Sequence, residues 1–159
     1  MRTTGSSTQL SDAKVYELHA DELIRFATGI VGASDAADVL STAMVNALSS
    51  KAWPTVTEKR AYLYRCVLNA ARSSMRSGSR RRLRELRVVY PESTPPTETA
   101  PEVWAAVSGL SPRQRAVVFL TYWEDLDAAA VAHRLGLSEG SVKQHLARAR
   151  AHLRRKLDD

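Results

Sequence analysis

Apolar residues recur at steps of three and four through most of the chain, which is the period of the α-helix. Val15, Leu18, Leu23, Phe26, Ala27 and Ile30 form a first stripe. Ser11 is its expected N-cap, Asp12 suits the helix dipole, and Gly32 ends it. The polar stretch 17–22 leaves room for a break. Ser34 is the expected cap of a second helix, striped by Ala36, Val39, Leu40, Ala43, Met44, Ala47 and Leu48. A loop with Trp53-Pro54 follows. Thr57 then opens a third helix, where Ala61, Tyr64, Val67, Leu68, Ala71 and Met75 face one way.

The pattern fails over 88–109 (VVYPESTPPTETAPEVWAAVSG). Pro91, Pro95, Pro96 and Pro101 resist helix, and Glu92, Glu98 and Glu102 carry the only charges. The expectation is an acidic, proline-rich tether with too little apolar surface to pack. It separates a helical domain over 11–87, preceded by a polar tail over 1–10, from a second helical domain over 110–159.

Periodicity resumes at Ser111-Pro112-Arg113-Gln114, a capping box with proline at the first helical position. Ala116, Phe119, Leu120 and Trp123 form the expected core stripe, and Val131 and Leu135 point inward from a short helix over 128–135. Gly136 supplies a left-handed stop and Ser138 caps the last helix. There Val142, Leu146, Ala149, Leu153 and Leu157 share one stripe, while Ser141, Lys143, Gln144, Arg148 and Arg150 lie on other faces. A short helix, a tight glycine turn and a capped basic helix form a helix-turn-helix, whose second helix fits a DNA major groove.

Charge sharpens this reading. The 159 residues carry a net charge of +6 and a pI near 9.8, which favours an acidic partner such as nucleic acid. Arginines at 76, 80, 81, 82, 84 and 87 stand against one acid, Glu85. They adjoin a helix face with Asn69 and aromatic neighbours Tyr62 and Tyr64, a pairing of phosphate-seeking and stacking groups.

Enzymatic chemistry finds no support. His19, His133, His145 and His152 are scattered, no cluster has metal-ligand spacing, and no glycine loop cradles a phosphate. Cys66 reads as a small packed thiol. No cofactor is called for. With no apolar run of about 18 residues and no signal-peptide core, a soluble cytoplasmic protein is expected.

The stretch 110–157, with LGLSEGSVKQHLARAR at its centre, resembles region 4 of sigma-70-type RNA polymerase sigma factors of the extracytoplasmic-function (ECF) group. LIRFATGIVGASDAADVL and KRAYLYRCVLNAARSSMR resemble region 2 of that group, the second in the manner of its actinobacterial sigma-E-like branch. The resemblance implies an all-α chain of two small helical domains. Core RNA polymerase and promoter DNA are the implied partners, with an anti-sigma factor or another regulatory protein as a further one. Carried over by position, Ser138, Glu139, Ser141, Lys143, Gln144 and Arg148 would meet the −35 element. Arg65, Asn69, Arg72 and Arg76 would meet the −10 element, and Asp35 and Asp38 would bind the polymerase clamp. The tether would thread toward the polymerase cleft.

One stretch departs from the family pattern. The clamp-binding segment usually reads close to DAEDLVQETF and here is DAADVLSTAM, with Ala37 and Thr42 in place of acids and Ser41 in place of glutamine. Losing two carboxylates should weaken a charge-complementary contact. This supports a second reading, a sigma-like DNA-binding regulator that does not initiate transcription unaided.

Overall fold

The computed structural model describes residues 10–84 and 101–158, and the described residues are helical apart from turns. The helices are α1 (Asp12–Val31), α2 (Ala33–Ser49), α3 (Lys59–Arg84), α4 (Pro101–Ser108), α5 (Pro112–Tyr122), α6 (Ala128–Leu135) and α7 (Glu139–Leu157), with a 3-10 turn at Trp53–Thr55. Most of the arginine run beyond Met75 and the proline-rich part of the tether lie outside the residues whose side chains are described.

Local chemistry sets most helix ends. The Ser11 side chain accepts from Lys14 N–H, and α1 runs unbroken through the polar stretch 17–22. Gly32, not Ser34, stands at the N-cap of α2, one residue after α1 ends. The N-terminal helices are tied by polar contacts at their rims. Trp53 Nε1 donates to Asp12 Oδ1 at 2.8 Å, and Lys59 reaches the Trp53 carbonyl and the face of its ring. Arg60 grips Glu22 with two bonds of 2.6 and 2.7 Å, a bidentate pair that raises the guanidinium pKa.

Residues 101–108 correct the expected extent of the tether: they form α4. Pro101 occupies its first position, where a missing N–H costs nothing. Val103, Trp104, Ala106 and Val107 supply enough apolar surface to seat it on α7. Ala106 is buried, and Trp104 reaches the junction of α1 and α2 beside Gly32.

α2 packs on α1 and α3, while α5, α6 and α7 form the C-terminal bundle. The two halves do not stand apart. α1 lies against α5, and α3 lies against both α5 and α6. One hydrophobic core runs through both halves, from Leu23, Phe26 and Tyr64 to Leu120, Val131 and Val142. A smaller cluster of Leu110, Val118 and Ala149 joins α5 and α7 beneath α4.

Candidate nucleic-acid interface

The helix-turn-helix is built by three successive caps. Asp127 accepts from Ala130 N–H at 2.8 Å and starts α6. Gly136, with φ 66° and ψ 34°, ends it in the left-handed region, and the N–H groups of Gly136 and Leu137 both reach the Ala132 carbonyl. Ser138 then accepts from Ser141 N–H at 3.1 Å and starts α7. Val142 and Ala149 are fully buried, which fixes the rotation of α7 about its axis.

That rotation leaves Ser138, Glu139, Lys143, Gln144 and Arg148 exposed and Ser141 half-buried. The Ser138 hydroxyl is engaged in its cap, so its contribution is to hold the helix end. Glu139 Oε1 lies 3.4 Å from Lys143 Nζ, so a carboxylate shares the exposed face of α7 with this lysine. Two residues of the expected stripe, and Trp123 at the C-cap of α5, are more exposed than their spacing suggests. Leu153 is half-buried, Leu157 is 49% exposed, and Trp123 is 58% exposed while stacking on Phe119.

On α3, Arg65, Asn69, Arg72 and Arg76 follow one another at steps of four, three and four and therefore share a face. The structure separates their surroundings. The Arg65 guanidinium sits 5.8 Å from the Tyr62 ring centroid, and its side chain crosses the glycine of the helix-turn-helix: a Cβ on Gly136 would lie 2.7 Å from Arg65 Cδ. Arg72 is half-buried, and its pKa is lowered first by Arg113, then by burial and Arg76. His145 is lowered by burial, then by Arg113 and Arg148.

Arg113, at the start of α5, therefore couples the α3 strip to α7. Arg72, Arg76, Arg113 and Arg148 form one cationic seam drawn from three helices, and His145, pushed toward its neutral form by burial, Arg113 and Arg148, lies among them. Sequence inspection missed Arg113 and His145 as members. Neither carries a local signal, because their approach to Arg72 and Arg148 depends on how α5 and α7 lie on the rest.

Asp35 and Asp38 are exposed on the first turns of α2, as are Ala37, Ser41 and Thr42. Val45, 63% exposed, and Leu48, 42% exposed, continue this surface; Leu48 thus leaves the core stripe in which its spacing placed it. Cys66 is half-buried, and burial pushes its thiol pKa up against a smaller lowering by Arg65, which makes it less reactive. Among the described residues no three His, Cys, Asp or Glu side chains gather as a metal ion requires, and no helix is long and apolar enough to cross a membrane.

The sigma-70 region 4 family matches residues 101–153, from the first residue of α4 to near the end of α7. The RNA polymerase sigma-E factor of Streptomyces coelicolor is 36% identical over 150 residues, covering 86% of this chain and 80% of its own length. The ECF RNA polymerase sigma factor SigM of Mycobacterium tuberculosis is 35% identical over 126 residues, covering 77% of this chain and 64% of its own length. The fold matches that of the Bartonella quintana sigma factor RpoE, solved with the anti-sigma factor NepR. The TM-score is 0.61 at 22% identity, over 92% of this chain and 96% of that one. A capped helix-turn-helix that matches region 4, with similarity to sigma factors along most of the chain, establishes that the protein belongs to the sigma-70 family of RNA polymerase sigma factors, in its ECF group.

Proposed function

We propose that this protein binds core RNA polymerase and directs it to promoters, with α7 reading the −35 element and α3 engaging the −10 element. The observation that carries the reading is the helix-turn-helix itself. Gly136 and Ser138 fix the angle of α7, and its burial pattern leaves Lys143, Gln144 and Arg148 outward on a rigid helix. In this role Lys143, Gln144 and Arg148 meet base edges or flanking phosphates. Glu139 and Ser141 border the groove, and the first turn of α7 offers backbone N–H groups to a phosphate.

Arg65, Asn69, Arg72 and Arg76 supply the −10 surface. Asp35 and Asp38, with the exposed Val45 and Leu48 beside them, supply the polymerase-binding surface of α2. The protein works as a specificity subunit and performs no bond chemistry of its own. It acts in the cytoplasm, where polymerase and chromosome are, and an anti-sigma factor or another regulatory protein is a further partner.

Reconstituted transcription tests this directly. Purified protein added to core polymerase over a genomic promoter library is expected to yield start sites sharing a bipartite element. Specific duplex binding without any start site would reject the reading. It would favour instead a regulator that needs a helper, for which the uncharged, exposed Ala37, Ser41 and Thr42 on α2 are the structural support.

A further inference from the structure

Arg72, Arg76, Arg113 and Arg148 come together from three helices. Arg72 and Arg76 stand one turn apart on α3, and α5 packs against both α3 and α7. Leu110, just ahead of α5, shares a packed cluster with Ala149 of α7, which draws the neighbouring Arg148 toward the first turn of α5, where Arg113 stands. Arg113 is the middle of the group. Its charge reaches Arg72 on one side and, on the other, His145, which precedes Arg148 by one turn.

Folding gains nothing from this placement. A guanidinium keeps its charge at any ordinary pH, so the four repel one another and none escapes by losing a proton. Half-burial of Arg72 and His145 reduces the screening that water gives an open surface. Arg113 also lies in the first turn of its helix, where the backbone dipole is positive and a cation is the disfavoured charge. Several cations elsewhere are compensated: Arg25, Arg60 and Lys143 by carboxylates, Lys59, Arg134 and Arg150 by aromatic rings. Among the described residues no carboxylate, carbonyl or ring partners any of the four arginines of the seam. Arg76, Arg113 and Arg148 are exposed, so their N–H forks are open to a ligand.

We propose that this seam is a binding site for a small anion built from a chain of phosphates, either inorganic polyphosphate or the phosphate chain of a nucleotide, with Arg113 as its central contact. Phosphate oxygens accept the paired N–H groups of a guanidinium bidentately. Arg72 and Arg76 are about 6 Å apart along the helix axis, so the group is wider than one phosphate, while a chain of them spans α3, α5 and α7. The negative charges of the chain offset the repulsion among the four cations, so the bound protein is more stable than the free one. Arg113 belongs to neither the −35 nor the −10 surface proposed above, and the ligand site stands whether or not the protein reads promoters.

The test is calorimetric titration of the full chain with inorganic tripolyphosphate, adenosine triphosphate and sulfate, metal-free and at one ionic strength near the physiological value. Tripolyphosphate is expected to bind at one site per chain and to raise the thermal midpoint. Sulfate, which cannot span the seam, is expected to bind more weakly by about tenfold or more. Tighter binding of adenosine triphosphate than of tripolyphosphate would identify a nucleotide as the ligand, and equal or weaker binding the bare phosphate chain.

Arg113→Gln is expected to weaken tripolyphosphate binding about tenfold, the loss of one charge-assisted contact. Without ligand this variant should melt no lower than wild type, because it relieves repulsion, so the lost affinity is not a loss of fold. Arg76→Gln, at an exposed position of α3, is a second variant with the same expectation. Arg154→Gln removes the same charge from another face of α7 near its far end, and affinity is expected to stay within about twofold. No binding, sulfate as tight as tripolyphosphate, no loss in Arg113→Gln, or an equal loss in Arg154→Gln would overturn the site and leave a generally cationic surface. An equal loss of affinity for a −10 single strand in Arg113→Gln would also overturn it, making the seam part of the promoter surface instead.

Discussion

Arg115 Nη1 donates to the Ile30 carbonyl at 2.5 Å, so a buried cation of the C-terminal half caps the last turn of α1 in the N-terminal half. The same guanidinium serves the Ser108 and Leu110 carbonyls. A planar fork of donors suits three acceptors in a way that no lysine can reproduce. Arg115→Met should therefore leave buried carbonyls unpaired and cost about 2–4 kcal/mol of stability, read as a lower urea midpoint. Arg115→Lys should recover only part of that loss. A methionine variant as stable as wild type would show that water satisfies these carbonyls.

Glu139 holds Lys143 at 3.4 Å in an exposed i, i+4 pair. The pair itself adds little stability, being open to solvent. With α7 reading DNA as proposed, its larger effect is on binding, because the carboxylate would both engage the lysine and repel phosphate. Glu139→Gln should strengthen duplex binding at low salt and steepen the dependence of log K on log salt by about one. Titrations at several salt concentrations check this, and an unchanged slope would mean that Lys143 already contacts phosphate.

Replacing Lys143 or Arg148 with alanine should weaken use of the cognate promoter by about 1–3 kcal/mol where a base contact is lost. Competition against scrambled duplexes separates the two roles. A base-reading residue loses discrimination, whereas a phosphate-binding one weakens all sequences alike.

His145 is lowered by burial, Arg113 and Arg148. A group whose folded pKa lies below its unfolded value binds fewer protons in the folded state, so stability is fully present above the unfolded pKa. It declines as pH falls from there through the folded pKa. The expected outcome is a loss of thermal stability that begins as pH drops below the ordinary histidine range, near 6.5. This component should be reduced in His145→Gln and in Arg113→Ala. Thermal melts between pH 7.5 and 5 measure it, and superimposable wild-type and His145→Gln profiles would rule it out.

On α2, Ala37 and Thr42 are exposed, so both accept larger side chains without repacking. Ala37→Glu combined with Thr42→Glu should tighten binding to core polymerase several-fold through charge complementarity, with the gain shrinking as salt rises. A pull-down titration with unchanged affinity would remove the missing carboxylates as a reason for weakened clamp binding.

The sequence by itself determined the local structure. Ser11, Ser111 and Ser138 cap helices as their spacing to later backbone donors requires, and Gly136 stops α6 because only a left-handed residue makes that turn. Those features depend on neighbours a few residues away, and so they are legible in one dimension. The outward face of α7 was legible for the same reason, since period fixes which residues oppose the buried stripe. Period alone misleads at the margins of a stripe: Leu18, Leu48, Trp123 and Leu157 keep helical spacing yet are exposed.

The tertiary structure decided what lies against what. Residues 101–108 look like tether until α7 and the junction of α1 and α2 offer Ala106 and Trp104 a place to bury. Arg113 and His145 join the cationic seam, and Arg65 crosses Gly136, only because α5, α6 and α7 rest on α3. Gly29 reads as an unremarkable helical glycine until Phe119 fills the space a Cβ would need. Such contacts join residues distant in sequence, ninety positions for Gly29 and Phe119, and no local propensity encodes the close packing that brings them together.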